Sequence, residues 1–78
     1  MLTQQIRVAD DKVLELTVDE KDGCTTVGQQ LVVGGVRALT KTCTVTCYTG
    51  KSYTWECADN KSCSGDCSDP NNPKGSCY

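Results

Sequence analysis

Apolar and polar positions alternate along the amino-terminal part of the chain. Ile6 and Val8 alternate with Gln5 and Arg7, and Leu14, Leu16 and Val18 alternate with Glu15, Thr17 and Asp19. A period of two sends successive side chains to opposite faces, which is the signature of a half-buried strand. Asp10-Asp11-Lys12 supplies turn residues between these runs, so residues 4–18 are expected to form a hairpin. Asp22-Gly23 marks another turn, Leu31-Val32-Val33 is a short apolar strand, and Gly34-Gly35 interrupts the chain before Val36–Leu39.

Residues 42–57 read as a second hairpin. With Thr49-Gly50-Lys51 as its loop, Cys43 faces Cys57, Val45 faces Trp55 and Cys47 faces Tyr53, all on one side of the ribbon. Gly50 then sits mid-loop, although a three-residue connection usually wants its glycine last. From Asp59 to Gly75 polar and turn-forming residues predominate, and this stretch is expected to be ordered loop. No internal repeat and no helix is legible in the pattern.

Composition sharpens this picture. Every Ile, Leu, Val and Met lies between Met1 and Val45, whereas five of the seven cysteines follow Thr46. The first part has aliphatic residues with which to build a core, and the last part has only cross-links. The expected fold is a small all-β, disulfide-rich single domain over residues 1–78. It has antiparallel strands and hairpins over residues 1–57 and a cysteine-stapled irregular tail over residues 58–78. At 78 residues a hydrophobic core alone barely offsets conformational entropy, and chains of this size recruit disulfides, metals or partner subunits.

The net charge of −2 is small and its signs are mixed, which argues against a nucleic-acid partner. No stretch is long and apolar enough to cross a membrane as a helix. Cysteine content points to an extracellular or other oxidising compartment, although Met1-Leu2-Thr3-Gln4-Gln5 is not followed by the apolar run of a standard secretory signal.

For the cysteines, disulfides are the favoured reading, with Cys43–Cys57 the first expected pair. Cys47, Cys63, Cys67 and Cys77 are expected to be bonded in a connectivity that spacing leaves open. Cys43 and Cys47 cannot pair with each other, because positions four apart on a strand are about 13 Å apart. Seven is odd, and Cys24, remote from the rest, is the candidate free or intermolecular thiol, with a bond to the tail as its alternative. No metal site is expected, since the chain has no His and lacks the usual two-residue spacing of zinc ligands. Asp59, Asp66, Asp69, Asn71 and Asn72 are oxygen ligands that a calcium ion could gather, but their spacing matches no established loop.

No catalytic residue, cofactor or small-molecule substrate is identified. The chain has no histidine base, and no cysteine has an evident basic partner in sequence. Gly50-Lys51-Ser52 lacks the rest of a phosphate loop. Asn60-Lys61-Ser62 is a formal glycosylation acceptor. Gly34-Gly35 matches a double-glycine processing site, and cutting after it would release a peptide with six cysteines; a bulge or bend is the plainer reading. The leading functional expectation is a non-enzymatic structural protein that self-associates through strand edges. The alternatives are a secreted peptide effector released after Gly35 and a monomeric binding module presenting Tyr48, Tyr53, Trp55 and Tyr78.

Overall fold

The computed structural model describes residues 2–21 and 23–78, and their regular structure is entirely β. The strands are β1 (Leu2–Ala9), β2 (Lys12–Lys21), β3 (Cys24–Val33), β4 (Val36–Arg37), β5 (Thr40–Cys47), β6 (Ser52–Ala58), β7 (Cys63–Asp66) and β8 (Lys74–Cys77). The first six form one antiparallel sheet in the order β1-β2-β3-β5-β6, with β4 paired to β3 beyond the start of β5. This is a meander, in which each long strand pairs with its sequence neighbour. The molecule is elongated, with extents of 40 × 19 × 17 Å.

The turns follow from local chemistry. Gly34 and Gly35 both have positive φ, 58° and 80°, and join Val33 to its partner Val36 in a two-residue turn of the kind that matches strand twist. The expected Asp22-Gly23 turn lies partly outside the described residues; Gly23 itself has a φ of 77°. A break at Ala38-Leu39 separates β4 from β5, and the buried side chain of Gln30 fills it. Its Nε2 donates to the Ala38 carbonyl at 3.0 Å and to Asp59 Oδ1, while its Oε1 accepts from Arg37.

Three expectations are corrected. The hairpin over residues 42–57 forms, but Cys43 faces Trp55, Val45 faces Tyr53 and Lys41 faces Cys57. Its loop is Tyr48-Thr49-Gly50, closed by a Gly50 N–H bond to the Cys47 carbonyl, which puts Gly50 (φ 87°) at the last loop position. The register therefore moves by two, and an even shift keeps every side chain on its face. The tail is not irregular throughout, because β7 and β8 pair as a second hairpin with Cys63 opposite Cys77.

The third correction concerns the core. The aliphatic residues do not bury one another. Register and alternation place Leu2, Ile6, Leu14, Leu16, Val18, Val27, Leu31 and Val33 on one face of the sheet. Among the described residues no layer covers that face: Leu2 is 55% exposed, Ile6 44%, and Leu31 and Val33 39% each. The buried apolar residues are Cys43, Val45, Cys47 and Cys57, on the opposite face beneath the β7–β8 hairpin.

Candidate functional site

The small β7–β8 hairpin is fastened to one face of the sheet. Three disulfides hold it: Cys43–Cys63, Cys47–Cys67 and Cys57–Cys77. Cys43–Cys57, the pair expected from sequence, is not a disulfide, because the register shift puts Trp55 opposite Cys43. The two sulphurs are nonetheless neighbours at 3.6 Å. Each bond joins residues separated by 20 positions. The reason is a repeat in spacing that the hydrophobic pattern does not display. Cys43-x3-Cys47-x9-Cys57 recurs as Cys63-x3-Cys67-x9-Cys77, so two hairpins carry identical cysteine frames. With β7 lying over β3 and β5, and β8 over β5 and β6, each cysteine of the upper hairpin meets its equivalent below.

The layers are close. Bonded cysteines have Cα atoms 5.7–5.8 Å apart, whereas packed sheets ordinarily stand about 10 Å apart. The sheet already fills that gap with Val45 and Trp55, so the hairpin has no room for side chains of its own opposite them. Alternation puts Cys63, Gly65 and Cys67 of the first arm and Gly75 and Cys77 of the second on the inner side, so the upper hairpin faces the sheet with only cysteine and glycine. Gly65 and Gly75 are cross-strand partners. A Cβ on Gly65 would fall 2.6 Å from Val45 Cγ2, and one on Gly75 would fall 2.3 Å from two carbons of the Trp55 ring. Gly28, in the middle of β3, makes room for Cys63, whose Sγ would lie 3.2 Å from a Cβ there. Trp55 completes the fastening, stacking on Tyr53 with ring centroids 5.7 Å apart and donating Nε1–H to the Ser76 carbonyl at 3.0 Å.

Cys24 is the free thiol among the described residues, half-buried, opposite Lys21 on β2 and Cys47 on β5. It lines a cleft of about 520 Å³ between the sheet and β7, with Asp19, Lys21, Thr26, Cys67 and Tyr78 also on its walls. A second cavity of about 220 Å³ lies alongside, reaching Gln30, Lys41 and Cys63. Comparison with protein-family models, with curated proteins and with solved structures returned no match.

The other candidate residues disperse. Among the described residues the tail carboxylates form no cluster of three, and each accepts a hydrogen bond of its own. Asp59 accepts from Gln30, Asp69 from the Asn71 amide, and Asp66 from the Ser68 amide at 2.9 Å and hydroxyl at 2.6 Å. Asn60 lies on the exposed turn between β6 and β7. Gly34-Gly35 is a turn inside the sheet, so a cut there would sever β3 from β5 in sequence while they remain paired in space. The aromatic residues are not one surface either. Tyr48 packs by Gly23, whereas Tyr78 pairs with Ser62 at the other end of the hairpin.

The two Ser68 hydrogen bonds, side chain first and backbone second, hold the Asp66 carboxyl below its ordinary value of 3.8, and Lys74 adds a smaller attraction. A carboxylate held low stabilises the fold above its unfolded pKa, and that contribution is lost as pH falls through the folded value. In a carboxyl-carbon NMR titration, Asp66 is expected to titrate below 3.8. Ser68→Ala should move the midpoint upward; an unchanged midpoint would show that Ser68 is not the cause.

Proposed function

We propose that the protein is a non-enzymatic assembly subunit of an extracellular or other oxidising setting, which associates with copies of itself through its uncovered aliphatic face and its free β1 edge. The uncovered face carries this reading. A β domain ordinarily buries its apolar face against a second layer, and the described residues supply no such layer over β1, β2 and β3. Three strands of this length offer on the order of 400 Å² per copy, about 800 Å² in total, the scale of a weak, transient contact to which pairing along the β1 edge would add. β1 is exposed at every position and ends the sheet, with one charged residue, Arg7, along it. Such an edge has unpaired backbone groups available to a neighbouring strand.

A second copy suits the pattern of the face. Lys12 and Glu20 lie at opposite ends of β2 on the aliphatic side, and Leu16 lies midway between them. A two-fold axis through Leu16 sets Lys12 against Glu20 at both ends, and Leu14 against Val18. The same axis brings Leu2 against Ile6 on β1 and Leu31 against Val27 on β3, so aliphatic meets aliphatic on all three strands.

Sedimentation in buffer without reductant is expected to give dimers, with larger species as concentration rises. Leu16→Glu would place two carboxylates on the axis and should leave a monomer whose far-UV circular dichroism is unchanged. A wild-type chain that stays monomeric throughout a concentration series overturns the proposal.

A further inference from the structure

The free thiol stands beside one of the fastening bonds. Cys24 on β3 is the register partner of Cys47 on β5, and Cys47 is bonded to Cys67 of the upper hairpin. Both backbone groups of Cys47 are engaged with the β5–β6 loop: its N–H donates to the Lys51 carbonyl, and its carbonyl accepts from the Gly50 N–H. These groups point away from β3. Cys24 and Cys47 are therefore a non-hydrogen-bonded pair, the closer of the two antiparallel types, with Cα atoms about 4.5 Å apart. That separation lies within the span of a disulfide, about 4.4–6.8 Å. Directly paired residues also project from the same face, so rotation of the Cys24 side chain is enough to bring its sulphur to that of Cys47.

We propose that Cys24, Cys47 and Cys67 form an internal thiol–disulfide exchange unit, a switch that moves one staple from between the layers into the sheet. The Cys24 thiolate attacks the Cys47 sulphur. The Cys24–Cys47 bond forms as the Cys47–Cys67 bond breaks, and Cys67 leaves as a thiolate that takes up from solvent the proton Cys24 released. One disulfide and one thiol are present before and after, so no oxidant or reductant is consumed. Burial favours this internal route. Cys47 is 2% exposed and closed to thiols in solution, whereas Cys24 is already beside it in the sheet. Cys67 is half-buried on the wall of the cleft that Cys24 also lines, so the displaced sulphur has open volume to enter. The old and new bonds close loops of similar length, and chain entropy barely distinguishes the two isomers. What differs is the fastening. A Cys24–Cys47 bond ties β3 to β5, which are already paired, while the β7 end at Cys67 loses its covalent hold on the sheet.

Disulfide mapping tests this. The oxidised chain is held at mildly alkaline pH, quenched in acid, alkylated and digested. Two populations are expected: one with Cys24 alkylated, and one with Cys67 alkylated and Cys24 bonded to Cys47. Cys43–Cys63 and Cys57–Cys77 should be intact in both. Cys24→Ser should lose the second population completely. Cys67→Ser leaves Cys47 without its partner, and mild oxidation with glutathione disulfide should then give the Cys24–Cys47 bond in most chains. Cys47→Ser, treated alike, should give no Cys24–Cys67 bond. Alkylation of the wild-type chain at Cys24 alone would overturn the proposal. So would a Cys24–Cys67 bond in the Cys47→Ser chain, or scrambling of the other two disulfides, since either means that the register does not choose the partner.

Discussion

Removing one cross-layer disulfide, as in Cys47→Ser/Cys67→Ser, is expected to lower stability by about 3 kcal/mol, and complete reduction is expected to free the β7–β8 hairpin from the sheet. The magnitude follows from loop entropy, since a closed loop of roughly 20 residues restricts the unfolded chain by about that amount. It is large here because little else opposes the loss. The strands of the small hairpin are four residues each and contain no aliphatic side chain. A two-stranded hairpin of that kind is marginal by itself in water. In a domain of this size 3 kcal/mol corresponds to a fall in Tm of roughly 12–24 °C. The three loops overlap, so the three losses will not sum. Hydrogen exchange reads the second half of the expectation: after reduction, amides in residues 63–77 should lose protection before those of β2 and β3. If residues 63–77 stay as protected as before, the disulfides are not what holds the layers together.

The second large effect is expected at Gly75. Gly75→Ala puts a methyl carbon 2.3 Å from two carbons of the Trp55 ring, and the stacked Tyr53 and the Nε1–H bond to the Ser76 carbonyl oppose the ring's retreat. Overpacking a tight contact of this kind typically costs 1–3 kcal/mol, and about 3 kcal/mol is expected here because a backbone layer must lift. Lifting the layer also strains the Cys57–Cys77 bond two residues away, so oxidative refolding should yield less of the native pairing. Trp55→Leu supplies the internal check, because a smaller side chain removes the clash. Gly75→Ala should be much less harmful in a Trp55→Leu background, a coupling that a double-mutant cycle measures. Equal losses in both backgrounds would point to backbone entropy and away from the close approach.

Much of the local structure was legible in the chain. The period-two runs, Asp10-Asp11, Gly34-Gly35 and the Thr42–Cys57 ribbon became strands and turns near where the pattern put them. Faces survived even where register failed. Moving the ribbon by two left Cys43, Val45, Cys47, Trp55 and Cys57 on one side, because side chains alternate with a period of exactly two positions. The clue to the true register was Gly50, whose left-handed conformation suits the last position of a three-residue loop. The doubled cysteine spacing was also present in the sequence, but it lies in residue identity at long range, where hydrophobic periodicity carries no signal.

What the sequence by itself determined is therefore short-range: an antiparallel β chain, its turns, which side chains share a face, and a tail without aliphatic residues that needs cross-linking. Tertiary structure decided the rest. Cysteine partners depend on which layer lies above which, and the second hairpin folds back over the first so that equivalent cysteines superpose. The resulting gap, under 6 Å between bonded Cα atoms and filled from the sheet side by Val45 and Trp55, admits only glycine and cystine from the upper hairpin, which gives Gly65 and Gly75 a role that no local pattern displays. The same choice of face buried the sulphur and left the aliphatic side open. A strand pattern states that one face is apolar; whether that face is covered is settled by where the remaining chain goes, and here the remaining chain went to the other side.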